Sequence, residues 1–209
     1  MVQTRNLTFQ YKKKDAMFRF PDISLEKQEH LLILGASGIG KTTLLHLLAG
    51  VLQPSSGIIF INEEDVTTLH QRKLDQFRGQ NIGLVFQKKH AITSLNVLEN
   101  LQARLYCSKK PVNQNKIDAL LSQLDLLQHK TSKINALSEG QLQRLGIALA
   151  VIHQPQLILA DEPTSSLDDK NCKKVIELLI KQAAQTEASL IVITHDHRIK
   201  PYFQNTITL

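Results

Sequence analysis

Residues 35–43 read Gly-Ala-Ser-Gly-Ile-Gly-Lys-Thr-Thr, which places Gly35, Gly40, Lys41 and Thr42 at the spacing G-x-x-x-x-G-K-[ST]. Polyphosphate chemistry needs these residue types in this order. Glycines let the backbone of Ala36, Ser37, Gly38, Ile39 and Gly40 wrap closely, so that its N–H groups converge on phosphate oxygens that a Cβ would obstruct. Lys41 supplies a point charge to the β- and γ-phosphates, the Thr42 hydroxyl can reach Mg²⁺, and Thr43 completes the loop. A second chemical feature is the carboxylate pair Asp161-Glu162, closing the apolar run at 157–160. Behind a phosphate-binding loop, such a pair gives a nucleotide hydrolase, with Asp161 in the metal shell and Glu162 polarising a water. The third is the stretch Leu-Ser-Glu-Gly-Gln-Leu-Gln-Arg at 137–144. Ser138 and Gln141 have capping-box spacing, and a helix N-terminus presents free N–H groups to an anion.

These groups need rigid elements to hold them. An apolar run at 30–34 feeds the loop and helical patterning follows over 41–52, giving strand, loop and helix. Leu7, Phe9 and Tyr11 alternate as in a strand, a second short apolar run lies at 58–61, and Pro54-Ser55-Ser56-Gly57 marks the turn before it. Strand character returns at 82–86, then fades from about residue 88 to 152, where helices are expected at 97–105, 116–127 and 141–153. Buried parallel-strand runs resume at 157–161 and 190–194, with a helix over 173–185 between them. A last strand is expected to be closing at 207–209. Neighbouring residues of a strand point to opposite faces, so His195 and His197 flank the end of the strand at 190–194 without the helical His-x-x-x-His geometry of a metal-ligand pair.

Composition bounds the possibilities without choosing among them. At 209 residues and 42% hydrophobic content, the chain suits one two-lobed unit with a substantial core. Cys107 and Cys172 have no metal-like spacing and suggest a reducing compartment. Residues 1–10 lack the apolar core of a signal peptide, and no apolar stretch approaches the ~20 residues needed to span a bilayer. Any membrane channel must therefore be another polypeptide. The formal charge of +6 comes from scattered pairs and triplets such as Lys12 to Lys14, Lys88-Lys89, Lys109-Lys110 and Lys173-Lys174. They read as solvated surface, with a role near anionic lipid head groups open. No specific nucleic-acid partner is expected.

Taken together, the phosphate loop, the Asp161-Glu162 strand end and the Ser138 stretch resemble the nucleotide-binding subunit of ATP-binding cassette (ABC) transporters, over nearly the whole chain. The resemblance implies an α/β fold: a P-loop NTPase core with a mostly parallel sheet, an antiparallel β subdomain and an inserted helical subdomain. The core would comprise 1–87 and 154–209, the helical part 88–153. It implies ATP and Mg²⁺ as ligands, with adenine on Tyr11 and Mg²⁺ held through Thr42, Gln87 and the water shell of Asp161. Gln87 would also link the site to the transport partner, and His195 would sense the γ-phosphate. Ser138, Gly140 and Gln141 would close over the γ-phosphate of a second subunit in a head-to-tail homodimer or heterodimer. Ser166, Leu167 and Asp168 would cross to that subunit.

The runs Leu-Ala-Asp-Glu-Pro-Thr-Ser-Ser-Leu-Asp at 159–168, Val97-Leu98-Glu99-Asn100 and Thr194 to Ile199 resemble the bacterial group serving lipoprotein release, macrolide-type efflux and cell division. That likeness implies an export or extraction ATPase, cytoplasmic and peripheral on the inner face of the cell membrane, driving a separate transmembrane permease. An importer subunit and a soluble ABC ATPase acting on nucleic acid or ribosomes stay open as alternatives. Three departures from the family pattern stand out: Glu139 in place of a glycine, Leu149 in place of a common arginine, and an early C-terminus.

Overall fold

The computed structural model describes residues 1–12, 16–86, 91–165 and 167–209. Gln87 and Ser166, along with Lys13, Lys14, Lys88 and Lys89, lie outside the described residues.

Two sheets stack around one phosphate-loop helix. The antiparallel sheet pairs β1 (Val2–Phe9) with β2 (Phe18–Arg19), β3 (Ser24–Leu25) and β5 (Ser56–Ile61), and β5 carries β6 (Glu64–Asp65) at the edge. The second sheet is wholly parallel, in the order β10 (Asn205–Thr208), β4 (His30–Leu34), β9 (Ser189–Thr194), β8 (Leu157–Asp161) and β7 (Ile82–Val85). Strands β4, β8 and β9 are apolar along nearly their full lengths, as strands covered on both faces must be. Their period of two divides the core: Leu32, Leu34, Ile158, Ala160, Leu190 and Val192 join one cluster, while Leu31, Ile33, Leu157, Leu159, Ile191 and Ile193 join the other.

Helix α1 (Lys41–Leu48) fills the space between the sheets, burying Leu44, Leu45, Leu47 and Leu48 completely. Truncating one of these leucines to alanine costs about 2–5 kcal/mol. The helix stops short of residue 52 because Gly50, at φ 64, turns the chain out of the helix. Nor is 54–57 all turn: Ser56 and Gly57 already belong to β5. Helix α2 (Gln71–Asn81) has no counterpart among the sequence expectations, since Leu74 is its one fully buried side chain.

On the other face lie α3 (Val97–Cys107), α4 (Gln114–Gln123), α5 (Glu139–Val151) and α6 (Asp169–Gln185). Their apolar residues, among them Leu101, Leu121, Leu145 and Ile176, share a single cluster with that face of the parallel sheet. Asn96 starts α3 with a capping box: its side chain accepts from the Glu99 N–H at 2.8 Å, and Glu99 Oε2 accepts from the Asn96 N–H at 2.7 Å.

Because the sheet is parallel, the C-terminal ends of β4, β8 and β9 open on one edge, the usual ligand edge of such sheets. The ladder continues into that edge. Gly35 N–H donates to the Thr194 carbonyl at 3.3 Å, and Glu162 N–H donates to the Ile193 carbonyl at 2.8 Å. The start of the phosphate loop and the second acid are both pinned to the end of β9.

Candidate functional site

The loop between β4 and α1 is shaped by its glycines. Gly40 sits at φ 104, and a Cβ there would lie 2.7 Å from Phe18 Cδ1, so only glycine fits between the loop and the aromatic pair Phe18 and Phe20. Ala36, Ser37, Gly38 and Ile39 are exposed, while Lys41 is 6% exposed at the mouth of the helix. Its ammonium donates to the carbonyls of Gly35 at 2.8 Å and Ala36 at 3.0 Å, and lies 3.5 Å from Glu162 Oε1. The charge is thus held in the mouth of the loop, where phosphate oxygens can replace these acceptors.

Thr42 donates its hydroxyl to Asp161 Oδ2 at 3.0 Å, while Asp161 Oδ1 is buried with no hydrogen-bond partner among the described residues. Burial pushes the Asp161 carboxyl above its ordinary value; the Thr42 hydrogen bond opposes this and the neighbouring Glu162 charge adds to it. A desolvated carboxylate with one oxygen unpaired, beside a threonine hydroxyl, fits a divalent cation or its water shell.

Glu162 follows at φ 49, a left-handed conformation uncommon for a residue with a Cβ. That turn aims its carboxylate back at the end of β9. Oε2 accepts from the Thr194 hydroxyl at 2.7 Å, and Oε1 lies 2.9 Å from His195 Nδ1. Burial is the largest single influence on Glu162 and raises it, but the hydrogen bonds from His195 and Thr194 outweigh burial and leave the carboxyl below its ordinary value. His195 itself is half-exposed.

Tyr11 lies beyond the end of β1, 56% exposed, with its ring edge-on to Phe9 at 4.7 Å and its hydroxyl 2.9 Å from Thr43 Oγ1. It is therefore not a third alternating strand residue. A second edge-type contact, to Phe18 at 6.3 Å, holds the exposed ring next to the loop.

The structure thus brings together Tyr11, the loop from Gly35 to Thr43, Asp161, Glu162 and His195. The Ser138 end of α5 and the Asp168 end of α6 make no bond to these groups and have their own partners among the described residues. Ser138 Oγ accepts from Gln141 N–H at 3.3 Å and Gln141 Oε1 accepts from Ser138 N–H at 2.7 Å, which completes the capping box; Gln141 Nε2 lies 2.7 Å from His129 Nε2. Gly140 follows in the first turn of the helix. Asp168 caps α6, its two oxygens accepting from the Asn171 N–H at 2.9 Å and side chain at 2.7 Å, which hold its carboxyl below the ordinary value. Thr194, which bonds Glu162, has no counterpart among the sequence expectations for the site; its signal was a polar residue closing the apolar run of β9.

A phosphate loop at the C-terminal edge of a parallel sheet, with paired acids on the second strand over, defines a P-loop ATPase. The sequence profile described as ABC transporter matches residues 20–165. The chain is 35% identical over 190 residues to the lipoprotein-releasing system ATP-binding protein LolD of Legionella pneumophila (strain Lens), covering 90% of this chain and 84% of that one. It is 36% identical over 206 residues to the uncharacterized ABC transporter ATP-binding protein YvcR of Bacillus subtilis (strain 168), covering 94% and 78%. The dimeric, post-hydrolysis structure of the ATP-binding cassette MJ0796, bound to ADP and Pi, superposes with a TM-score of 0.88 at 30% identity, covering 100% of this chain and 94% of that one. The chain belongs to the ABC transporter family, as one of its ATPase cassettes. Among the described residues, no helix is long and apolar enough to cross a membrane.

Proposed function

We propose that this chain is the ATP-hydrolysing subunit of a membrane export or extraction complex, closing as a head-to-tail dimer on ATP and driving a separate transmembrane partner. The observation that carries the hydrolytic part is the convergence of Lys41, Glu162 and His195 beside the unpaired oxygen of Asp161. The likeness to LolD proteins supports the export or extraction part.

Adenine stacks on the exposed ring of Tyr11, and the phosphates lie along the loop from Ala36 to Thr43. Lys41 turns from the Gly35 and Ala36 carbonyls to the β- and γ-oxygens. Thr42 and Asp161, with Gln87, would hold Mg²⁺, which supplies charge neutralisation to the phosphates when bound. Glu162, ionised at neutral pH, accepts a hydrogen bond from the attacking water and orients it in line. The half-exposed ring of His195 swings from Glu162 to the γ-phosphate. Ser138, Gly140 and Gln141, at the positive end of α5, close over the γ-phosphate of the other subunit, and Asp168 crosses the same interface. Rate acceleration comes mainly from these prepositioned charges and dipoles.

The helical segment 88–153 carries the Ser138 end and is proposed to move as a unit against the core. Between it and the parallel sheet runs a groove of about 470 Å³, lined by Leu84, Phe86, Ala91, Leu142 and Leu149 and reaching Glu162. Phe86 and Ala91 flank the Gln87 segment on either side. We place the transmembrane partner's cytoplasmic segment in this groove, where Leu149 adds apolar surface at the position of the family's common arginine.

The test is Glu162→Gln. The variant is expected to trap an ATP-bound dimer without turnover, seen by size-exclusion chromatography with MgATP. A monomer that hydrolyses ATP at the parental rate would overturn the assignment.

A further inference from the structure

We propose that Arg198 is a positioning residue for ATP hydrolysis, clamping the loop after β8 to the loop after β9. The inference rests on the reading of Glu162, His195 and Asp168 above, and adds a residue that reading does not use.

The guanidinium spends all three nitrogens on the two loops. Nε donates to Asp196 Oδ1 at 2.8 Å and Nη2 to Asp196 Oδ2 at 2.8 Å, a bidentate fork. Nη2 also reaches the Thr164 carbonyl at 3.4 Å, and Nη1 donates to the Leu167 carbonyl at 3.1 Å and to Asp169 Oδ1 at 2.6 Å. Asp169 is 89% exposed, so that last pair contributes little. The fork differs, because Asp196 is 6% exposed and is bonded from several sides. The Thr164 hydroxyl donates to its Oδ2 at 2.8 Å, and the Arg198 N–H to its Oδ1 at 3.1 Å. Arg198 is the leading cause that holds this carboxyl well below its ordinary value.

From Asp196 the bonds continue to the reacting groups. Asp196 N–H donates to Thr194 Oγ1 at 3.0 Å, and that hydroxyl donates to Glu162 Oε2 at 2.7 Å. One connected network therefore runs from Glu162 through Thr194 and Asp196 to Arg198, and from there to the backbone at Thr164 and Leu167, next to Asp168. His195 lies between two members of this network in sequence, so its backbone is held by the same bonds. Subunit closure would load both loops at once. The clamp transmits that load as a shared movement and keeps the backbone at Glu162 and at His195 in register, from which the imidazole turns to the γ-phosphate.

Lysine keeps the charge on Asp196 but, as a single point donor, cannot reach Asp196, Leu167 and Thr164 together. Arg198→Lys in the full-length chain is therefore expected to lower kcat for MgATP about tenfold, to leave KM for ATP within about twofold, and to melt close to the parent. Combined with Glu162→Gln, it is expected to need about tenfold more protein to form the ATP-bound dimer. Arg198→Met, which strands the buried Asp196 carboxylate, should show the same kcat loss together with a lower melting temperature. Parental kcat in Arg198→Lys, or in Arg198→Met assayed well below its melting temperature, would overturn the clamp. So would a loss confined to KM, or one that appears only in the destabilised methionine variant. If Glu162→Gln alone retains parental hydrolysis, the site reading fails and the clamp fails with it; if Glu162→Gln is inactive while Arg198→Lys is parental, the clamp alone fails.

Discussion

His195 Nδ1 lies 2.9 Å from Glu162 Oε1, so the histidine that ends β9 is bonded directly to the acid that follows β8. This contact helps to set the acid's charge state. Burial alone would raise Glu162; the hydrogen bonds from His195 and Thr194 reverse that and leave it below its ordinary value of 4.5. A carboxyl lowered by folding contributes stability above its unfolded value, and the contribution is lost as pH falls through the lower folded value. The affected window is therefore acidic, below about pH 4.5. Removing the imidazole leaves burial less opposed, so His195→Ala should move the acid limb of the ATPase pH profile upward and cut kcat about a hundredfold. An acid limb that stays in place would mean that the imidazole does not set the charge of Glu162 and that Thr194 and the His195 N–H hold it.

Asp161 carries the opposite sign. Its carboxyl is raised by burial, and one oxygen has no partner among the described residues. A carboxyl raised by folding favours the folded state only while protonated, so its contribution disappears as pH rises through the folded value and the ionised form is a burden at neutral pH. Asp161→Asn should therefore raise the melting temperature at pH 7 in the absence of Mg²⁺ by about 2–4 °C, as for a gain near 1 kcal/mol in a chain of this size. Hydrolysis should be lost in the same variant. Differential scanning fluorimetry with and without Mg²⁺ checks this: added metal should stabilise the parent and leave the asparagine variant unmoved.

How much of this was readable beforehand follows from the range of the interactions. The strand, loop and helix around Lys41 were legible because their signals are local: an apolar run, glycines at fixed offsets and a helical period. The Ser138 capping box was legible for the same reason, since donor and acceptor are three residues apart. Helix α2 was not, because its 11 residues offer only Leu74 and Phe77 as large apolar side chains, too few to read as a face. The two-residue strands β2, β3 and β6 were equally silent, being defined by the neighbours they pair with. Within the site, the hydroxyl of Thr194 and Nη1 of Arg198 act across 32 and 31 positions of chain, on Glu162 and on Leu167. Nothing local announces them.

Tyr11 separates two uses of one aromatic. Its ring stands perpendicular to Phe9 at 4.7 Å and its hydroxyl bonds Thr43 at 2.9 Å, while the residue stays exposed beside the phosphate loop. Stacking a base on an aromatic ring is worth about 1–3 kcal/mol by alanine substitution. Tyr11→Ala should thus weaken ATP binding roughly five- to a hundredfold, while Tyr11→Phe, which keeps the face and loses one hydroxyl contact, should stay within about threefold. Titration with ATP and with tripolyphosphate distinguishes the cause. If the alanine variant weakens both ligands equally, Tyr11 acts by holding the loop through Thr43, and adenine stacks elsewhere.

Glu139 is the first residue of α5, directly after the Ser138 cap, and it lines the same groove as Leu149. Two effects of its carboxylate oppose each other. At a helix N-terminus a negative charge is favourable by about 0.3–1 kcal/mol. In a closed head-to-tail dimer the same charge would stand near the γ-phosphate of the other subunit, where it is repulsive. The capping box between Ser138 and Gln141 does not involve the Glu139 side chain, so the helix start survives its removal. Glu139→Gly is accordingly expected to lower the melting temperature slightly, by about 2 °C, while raising ATP-dependent dimerisation in the Glu162→Gln background. Analytical ultracentrifugation across ATP concentrations reads the second effect. A dimer that is unchanged or weaker would show that the carboxylate points away from the nucleotide and that its role lies along the groove.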